Sequence, residues 1–360
     1  MTTARYDLNE LGWSDFFEKS FLPYRADGYF AARVVLEHRR AFRVYAEGGE
    51  LLAEITGRVR YEAATRAELP AVGDWVAITA YPDEKRATIH AILPRRSKFS
   101  RKAAGRNTQE QIVAANVDTV FVVVGLDNDY NLRRVERYLV AAFESGASPV
   151  IILNKLDLCD DIDRKLGEVG PIAAGVPVHA ISSVTQSGLE QITQYIRKGI
   201  TVAFLGSSGV GKSTLINRLI GKDVQKVREV REDDSRGRHT TTHRELIALP
   251  SGGLLIDTPG MRELHLWEAD GGLSETFEDV ESVAAQCHFT NCRHQNEPGC
   301  AVKEGLETGS LDTARYESYR KLQKELQYLE TRQDAQAQFE RKQRDKKINK
   351  AFNRMKPKRG

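Results

Sequence analysis

The segment Gly206-Ser207-Ser208-Gly209-Val210-Gly211-Lys212-Ser213 follows the apolar run Thr201 to Leu205 and opens the helical pattern Ser213 to Gly221. A glycine-rich turn between a strand and a helix lets backbone N–H groups wrap a phosphate chain. Lys212 then brings a cation to the β and γ positions. Ser213, with Thr214 beside it, offers a hydroxyl to Mg²⁺. Downstream, Asp257-Thr258-Pro259-Gly260 closes another apolar run. Asp257 is thereby expected at the carboxyl edge of a sheet, holding Mg²⁺ through water, with the Gly260 N–H directed at the γ-phosphate.

A second constellation addresses the base. Asn154-Lys155-Leu156-Asp157 ends the run Pro149 to Leu153 and has the NKxD form that specifies guanine. Asp157 would accept hydrogen bonds from the guanine N1–H and exocyclic amine, an edge adenine lacks. A buried acceptor of this kind discriminates by about 10⁴, because the wrong base leaves it unpaired. Ser182 and Ser183, after the run Val176 to Ile181, resemble the next guanine-contacting motif. In an ordinary GTPase the phosphate loop comes first, whereas here the base-reading residues precede it. The order predicts a circularly permuted domain, and it wires the segment after Asp257-Thr-Pro-Gly directly into the C-terminal region. Nucleotide state is accordingly expected to reposition the region after Glu263.

A third constellation, Cys287-x4-Cys292-x-His294-x5-Cys300, supplies three thiolates and one imidazole to a single tetrahedral Zn²⁺. No coordination position is left open, so the ion is expected to be structural, contributing about 10 kcal/mol to folding. His288 is a rival ligand, but its adjacency to Cys287 makes joint coordination awkward.

These groups need elements to place them. From Val117 to about Thr258, near-continuous apolar runs alternate with amphipathic ones, the pattern of a parallel sheet covered on both faces. Between Gly28 and Leu93 the runs YFAARVVL, AFRVYA, LLAEITGRV, DWVAITAY and ATIHAIL, separated by turn residues, predict an OB-type barrel of the kind that binds RNA on an open face. Trp13, Phe16, Phe17 and Phe21 are spaced as one face of a packing helix. Arg95, Arg96, Lys98, Arg101, Lys102 and Arg106 read as a basic connector at a domain boundary, either a solvated linker or an RNA contact. The expected divisions are an extension over 1–29, the barrel over 30–95, the permuted GTPase domain over 96–268, a zinc-binding helical subdomain over 269–336 and a basic tail over 337–360.

Composition limits the alternatives. The chain has 360 residues, 41% of them hydrophobic, enough for several cores. Its 53 basic against 50 acidic residues leave a net charge of +3, so any attraction for nucleic acid must lie in distribution. Between Glu340 and Gly360 ten basic residues face only Glu340 and Asp345, which suits phosphate contact. No run approaches the roughly 20 apolar residues of a membrane span, and Met1 to Glu10 lack a secretory pattern. A cytoplasmic, monomeric protein without membrane association is expected, and the clustered cysteines suit a metal in a reducing compartment better than disulfides.

The succession of barrel, NKLD, GSSGVGKS, Gly237-Arg-His-Thr-Thr-Thr-His243, DTPG and the Cys/His cluster resembles the ribosome small-subunit-dependent GTPase family (RsgA/YjeQ) over roughly residues 30 to 335. The resemblance implies a factor of late small-subunit maturation that binds rRNA and hydrolyses GTP to GDP on the small (30S) subunit. It also implies that 237–243 is the effector segment, with Thr241 or Thr242 as the Mg²⁺-sensing threonine. Met261 stands where many GTPases place a water-orienting glutamine, so another group must orient the water, and the resemblance points to His239. The alternatives are an RNA-anchoring module that uses GTP mainly for stability and a permuted GTPase with a different ribosomal target.

Overall fold

The computed structural model describes residues 6–38, 41–102, 110–173, 175–221, 244–257, 271–329 and 331. Helix α1 (Asp15–Ala26) buries Phe17 and Phe21, four apart and so on one face, and sets Trp13 edge-on to Trp75 at 4.7 Å. It covers the end of a barrel made by β1 (Phe30–Glu37), β2 (Phe42–Ala46), β3 (Gly49–Ile55), β4 (Trp75–Tyr81) and β5 (Arg86–Ile92). β1 pairs with β2 and β4, β2 with β3, β3 with β5 in parallel, and β5 with β4, so the strands close in the order 1-2-3-5-4-1. Small and β-branched side chains, among them Ala32, Val34, Val44, Ala53, Ile78 and Ile89, fill the interior. This is the OB-type barrel the five runs predicted.

Two local expectations are corrected. The run LLAEITGRV is not a strand throughout: β3 stops at Ile55, and α2 (Gly57–Glu62) begins because the Thr56 hydroxyl accepts the Val59 N–H. The basic stretch after Leu93 is not a solvated linker where it is described. Arg95 forms a two-pronged ion pair with the fully buried Asp74 and donates to the carbonyls of Ala67 and Leu69. β6 (Lys98–Lys102) and β7 (Glu110–Ala115) then pair as an antiparallel ribbon. Arg106 lies outside the described residues.

The α/β region contains β8 (Thr119–Gly125), α3 (Leu132–Ser145), β9 (Ser148–Asn154), α4 (Ile162–Ala173), β10 (Val178–Ala180), α5 (Leu189–Thr193), β11 (Thr201–Leu205), α6 (residues 212–221), β12 (Glu245–Ala248) and β13 (Leu254–Asp257). Its strands lie in the order β10-β9-β8-β11-β13-β12, parallel except for β12. β8 shows why the apolar runs do not alternate. Val120, Val122 and Val124 pack on one side of the sheet while Phe121 and Val123 pack on the other. β12 also meets β1 at Glu245 and Leu36, and Arg244 pairs with Glu37 at 3.1 Å, joining barrel and α/β sheet edge to edge.

Helices α7 (Gly272–Thr276), α8 (Glu278–Ala284), α9 (Ala301–Thr308) and α10 (residues 313–329) form the C-terminal unit, whose core of Phe277, Val280, Val302, Leu322 and Leu326 also takes in Val140 of α3. The contact includes a buried ion network. Arg315 donates to Glu136 of α3 at 3.0 Å, to both carboxylate oxygens of Asp279 and to the Thr276 carbonyl. No helix among the described residues is long and apolar enough to cross a membrane.

Candidate nucleotide site and metal centre

The carboxyl ends of β8, β9, β11 and β13 face one edge of the sheet, where an α/β fold collects its ligands. The loop from β11 to α6 holds Gly206, Gly209 and Gly211 at φ +152°, +84° and +97°. Two of these glycines are also required by contact. A Cβ on Gly206 would lie 2.3 Å from the Val123 carbonyl oxygen, and one on Gly211 would lie 2.2 Å from Asn154 Nδ2. Lys212 starts α6, and its Nζ donates to the carbonyls of Gly206 at 2.6 Å and Ser207 at 2.5 Å, across the concavity of the loop. Ser208, Ser213 and Thr214 are exposed at this edge and Val210 is buried beneath it. Asp257 ends β13, the parallel neighbour of β11.

The base-reading residues converge on the same loop. Asn154, fully buried, donates through Nδ2 to the Val210 carbonyl at 2.8 Å and to Ser183 Oγ at 3.2 Å, while its Oδ1 accepts the Ser183 N–H at 3.0 Å. Lys155 is left-handed at φ +69°, and the Leu156 N–H donates to the Ile181 carbonyl. Asp157 accepts the Ser182 hydroxyl and is exposed rather than the buried acceptor expected, because it stands on the short turn after β9 at the open edge of the sheet. His239, Thr241 and Gly260 lie outside the described residues.

Three side chains near these motifs carry no motif signal of their own. Asp127 accepts the Lys155 ammonium at 2.5 Å, which holds its carboxyl below the usual carboxylate range. Asp129 accepts both the Ser207 hydroxyl and the Arg134 guanidinium. Burial pushes the Asp129 carboxyl up, but Arg134 and Ser207 outweigh it and hold it low. Their one sequence cue is position, in the loop and first helical turn that follow a strand whose carboxyl end faces the site.

In the C-terminal unit the ligand atoms of Cys287, Cys292, His294 and Cys300 lie within 4.8 Å of one another. The sulfurs of Cys287 and Cys300 are 3.9 Å apart, and each is 3.5 Å from His294 Nδ1. A tetrahedron with the usual Zn–S and Zn–N bond lengths needs ligand separations of about 3.8 and 3.6 Å, so the residues fit the ion. Burial lowers the His294 pKa and favours the neutral imidazole that a metal requires. Cys300 caps α9, its sulfur accepting the Lys303 N–H at 3.5 Å. Glu297 accepts the N–H groups of Arg293, Gln295 and Asn296 and thereby orders the loop between His294 and Cys300. His288 is not among the four.

A P-loop on the central strand, base-reading turns on strands that precede it in the chain, and one antiparallel strand at the α/β edge define a circularly permuted GTPase. Comparison with known proteins narrows the class. The family model described as RsgA GTPase matches residues 92–267. The small ribosomal subunit biogenesis GTPase RsgA of Opitutus terrae is 49% identical over 350 residues, 95% of each chain. RsgA 2 of Lactiplantibacillus plantarum is 46% identical over 336 residues, covering 92% of this chain and 94% of its own. Among solved structures, YjeQ of Thermotoga maritima is similar at a TM-score of 0.62, with 30% identity, covering 83% of this chain and 98% of that one. YloQ, described as a circularly permuted GTPase, reaches 0.60 with 26% identity, covering 83% and 95%. The chain belongs to the RsgA GTPase family and is a GTP hydrolase.

Proposed function

We propose that the protein acts in late maturation of the small (30S) ribosomal subunit, binding its rRNA and hydrolysing GTP to GDP and phosphate when the subunit stimulates it. The observation that carries this reading is the joining of two constellations in one concavity, with Asn154 bonded to the phosphate-loop residue Val210, in a chain alike over 95% of its length to a relative named small ribosomal subunit biogenesis GTPase RsgA.

The roles follow from the chemistry of the motifs. Loop amides from Gly206 to Ser213 and the Lys212 ammonium bind the phosphates and stabilise the charge that moves onto the leaving diphosphate. Asp157 reads the guanine edge, the Ser182 and Ser183 turn supports it, and the stem of Lys155 covers the ring. Ser213 and, through water, Asp257 would hold Mg²⁺, which neutralises charge between the β- and γ-phosphates when bound. Thr241 and the Gly260 N–H sense the γ-phosphate, and His239 orients the attacking water. Cys287, Cys292, His294 and Cys300 would hold one structural Zn²⁺ that orders the C-terminal unit. The barrel, that unit and the basic residues after Glu340 contact rRNA, and hydrolysis triggers release. The protein works as a monomer in the cytoplasm, without membrane.

GTP turnover measured with purified small subunits, with large subunits and with neither tests the reading. Stimulation by small subunits alone is expected. Equal rates in all three would reject it in favour of an RNA-anchoring role. His239→Ala with undiminished stimulated turnover would remove His239 from the mechanism, where a well-placed group is worth about 10³.

A further inference from the structure

The loop between β8 and α3, Leu126 to Asn131, touches both halves of the nucleotide site and belongs to neither set of motifs. At its first turn Asp127 Oδ2 holds the Lys155 ammonium at 2.5 Å, and Asp127 Oδ1 accepts the Asp129 N–H at 3.2 Å. Two residues on, Asp129 accepts the Ser207 hydroxyl, and Arg134 from the first turn of α3 bonds both Asp129 and, at 3.0 Å, Ser207 Oγ. One polar chain thus runs from the base-reading turn, through Asp127 and Asp129, to the second residue of the phosphate loop.

Each end acts on a conformation that needs an external hold. Lys155 is left-handed at φ +69°, a region that costs a non-glycine residue about 1 kcal/mol or more. Its ammonium is the handle by which Asp127 keeps that turn, and Asp157 lies two residues further along. The Ser207 carbonyl accepts the Lys212 ammonium at 2.5 Å, so fixing the Ser207 side chain also fixes the plane on which the phosphate-binding lysine rests. Both aspartates are held in the ionised form by their basic partners. Charge-assisted hydrogen bonds of this kind are shorter and about twice as strong as neutral ones.

We propose that this loop is a clamp of the nucleotide site: Asp127 is a positioning residue for guanine selectivity, acting through Lys155, and Asp129 is a positioning residue for phosphate binding, acting through Ser207. The inference rests on the reading of Asp157 and the P-loop given above, but not on any ribosomal role, because its test uses no ribosome.

Dissociation constants for GDP and for inosine diphosphate, which lacks the exocyclic amine, are measured on the full-length chain and its variants. Asp127→Asn is expected to lower the GDP-over-IDP preference about tenfold. Asp129→Asn is expected to weaken both nucleotides about tenfold and leave their ratio where it is. Ser207→Ala should reproduce Asp129→Asn, the double variant should be no worse than either single one, and Ser207→Thr, which keeps the hydroxyl, should recover most of the affinity that Ser207→Ala loses. Melting temperatures taken alongside separate lost positioning from lost folding. Should Asp129→Asn unfold the chain, the Ser207 pair carries the test alone. Constants within twofold of the parent for all the variants, or a preference that falls equally with Asp127→Asn and Asp129→Asn, would overturn the clamp. A parent with no preference for GDP would instead overturn the guanine reading beneath it.

Discussion

The side-chain amide of Asn154 donates to the main-chain carbonyl of Val210 at 2.8 Å, so the strand end that carries the NKxD turn is bonded to the glycine-rich loop between β11 and α6. The same side chain pairs with Ser183 through both of its ends, and its Nδ2 occupies the space a Cβ on Gly211 would need. Asn154→Ala leaves a buried carbonyl and a buried N–H unpaired, each costing about 1–3 kcal/mol. GDP affinity is expected to fall at least tenfold, about 1.4 kcal/mol, in titration calorimetry. Binding within twofold of the parent would show that the bridge is dispensable.

In the proposed reading Asp157 chooses the base by accepting from two donors. Asp157→Asn replaces one acceptor oxygen with a donor, which faces the guanine amine badly and the carbonyl of xanthine well. Affinity for GDP should drop about 10²-fold or more, and xanthosine diphosphate should become the better ligand. Competition between the two diphosphates decides it, and an unaltered preference for guanine would place the base elsewhere.

Cys287, Cys292, His294 and Cys300, proposed to hold zinc, sit in a unit whose own core is small. Removing the ion with a chelator, or making Cys292→Ser, should release one equivalent of zinc per chain and melt the C-terminal helices, since such ions contribute about 10 kcal/mol. GDP binding should survive, because the P-loop and base-reading turns lie on other elements. Metal analysis together with helical circular dichroism reads both, and full helicity after metal loss would contradict a structural role.

Glu136 is wholly buried on α3 and answered by Arg315 at 3.0 Å and Arg133 at 2.5 Å. Arg315→Met strips its buried partner and should destabilise the chain by about 3–5 kcal/mol. Adding Glu136→Leu should recover most of that loss, since the carboxylate that lost its buried partner, and keeps only the half-exposed Arg133, goes with it. Denaturant titration of the single and double variants checks the sign, and equal losses in both would point to packing instead.

Lys155 holds the Asp127 carboxyl below its ordinary value of 3.8. A carboxyl depressed in the folded state stabilises the chain fully above its unfolded pKa, and the contribution disappears as pH falls through the lower, folded value. The Lys155–Asp127 contact should therefore be constant from neutral pH down to the ordinary carboxylate range. In carboxyl-carbon NMR the Asp127 midpoint should lie below 3.8 and move upward in Lys155→Met. An unmoved midpoint would detach the two residues.

What could be read from the chain alone was whatever is written in neighbouring residues. A phosphate loop, an NKxD turn and a cysteine and histidine set each do their chemistry with groups a few positions apart, so spacing carries the meaning. The permutation was legible for the same reason, being a fact of order. Five alternating runs announced the barrel, although the run through Thr56 concealed a helix, because one capping hydroxyl outweighs the β-propensity of the residues after it.

Only the tertiary structure decided the relationships between distant residues. Arg95 looked like any solvated cation until the fold set it against Asp74. Asp127, Asp129 and Arg134 belong to no motif, and only the fold brings Lys155 and Ser207 to them, as it brings Arg315 to Glu136. A side chain's intrinsic chemistry is local, but its burial, its partner and hence its protonation depend on which segments the packing of the sheet brings together. Spacing along the chain carries no record of that.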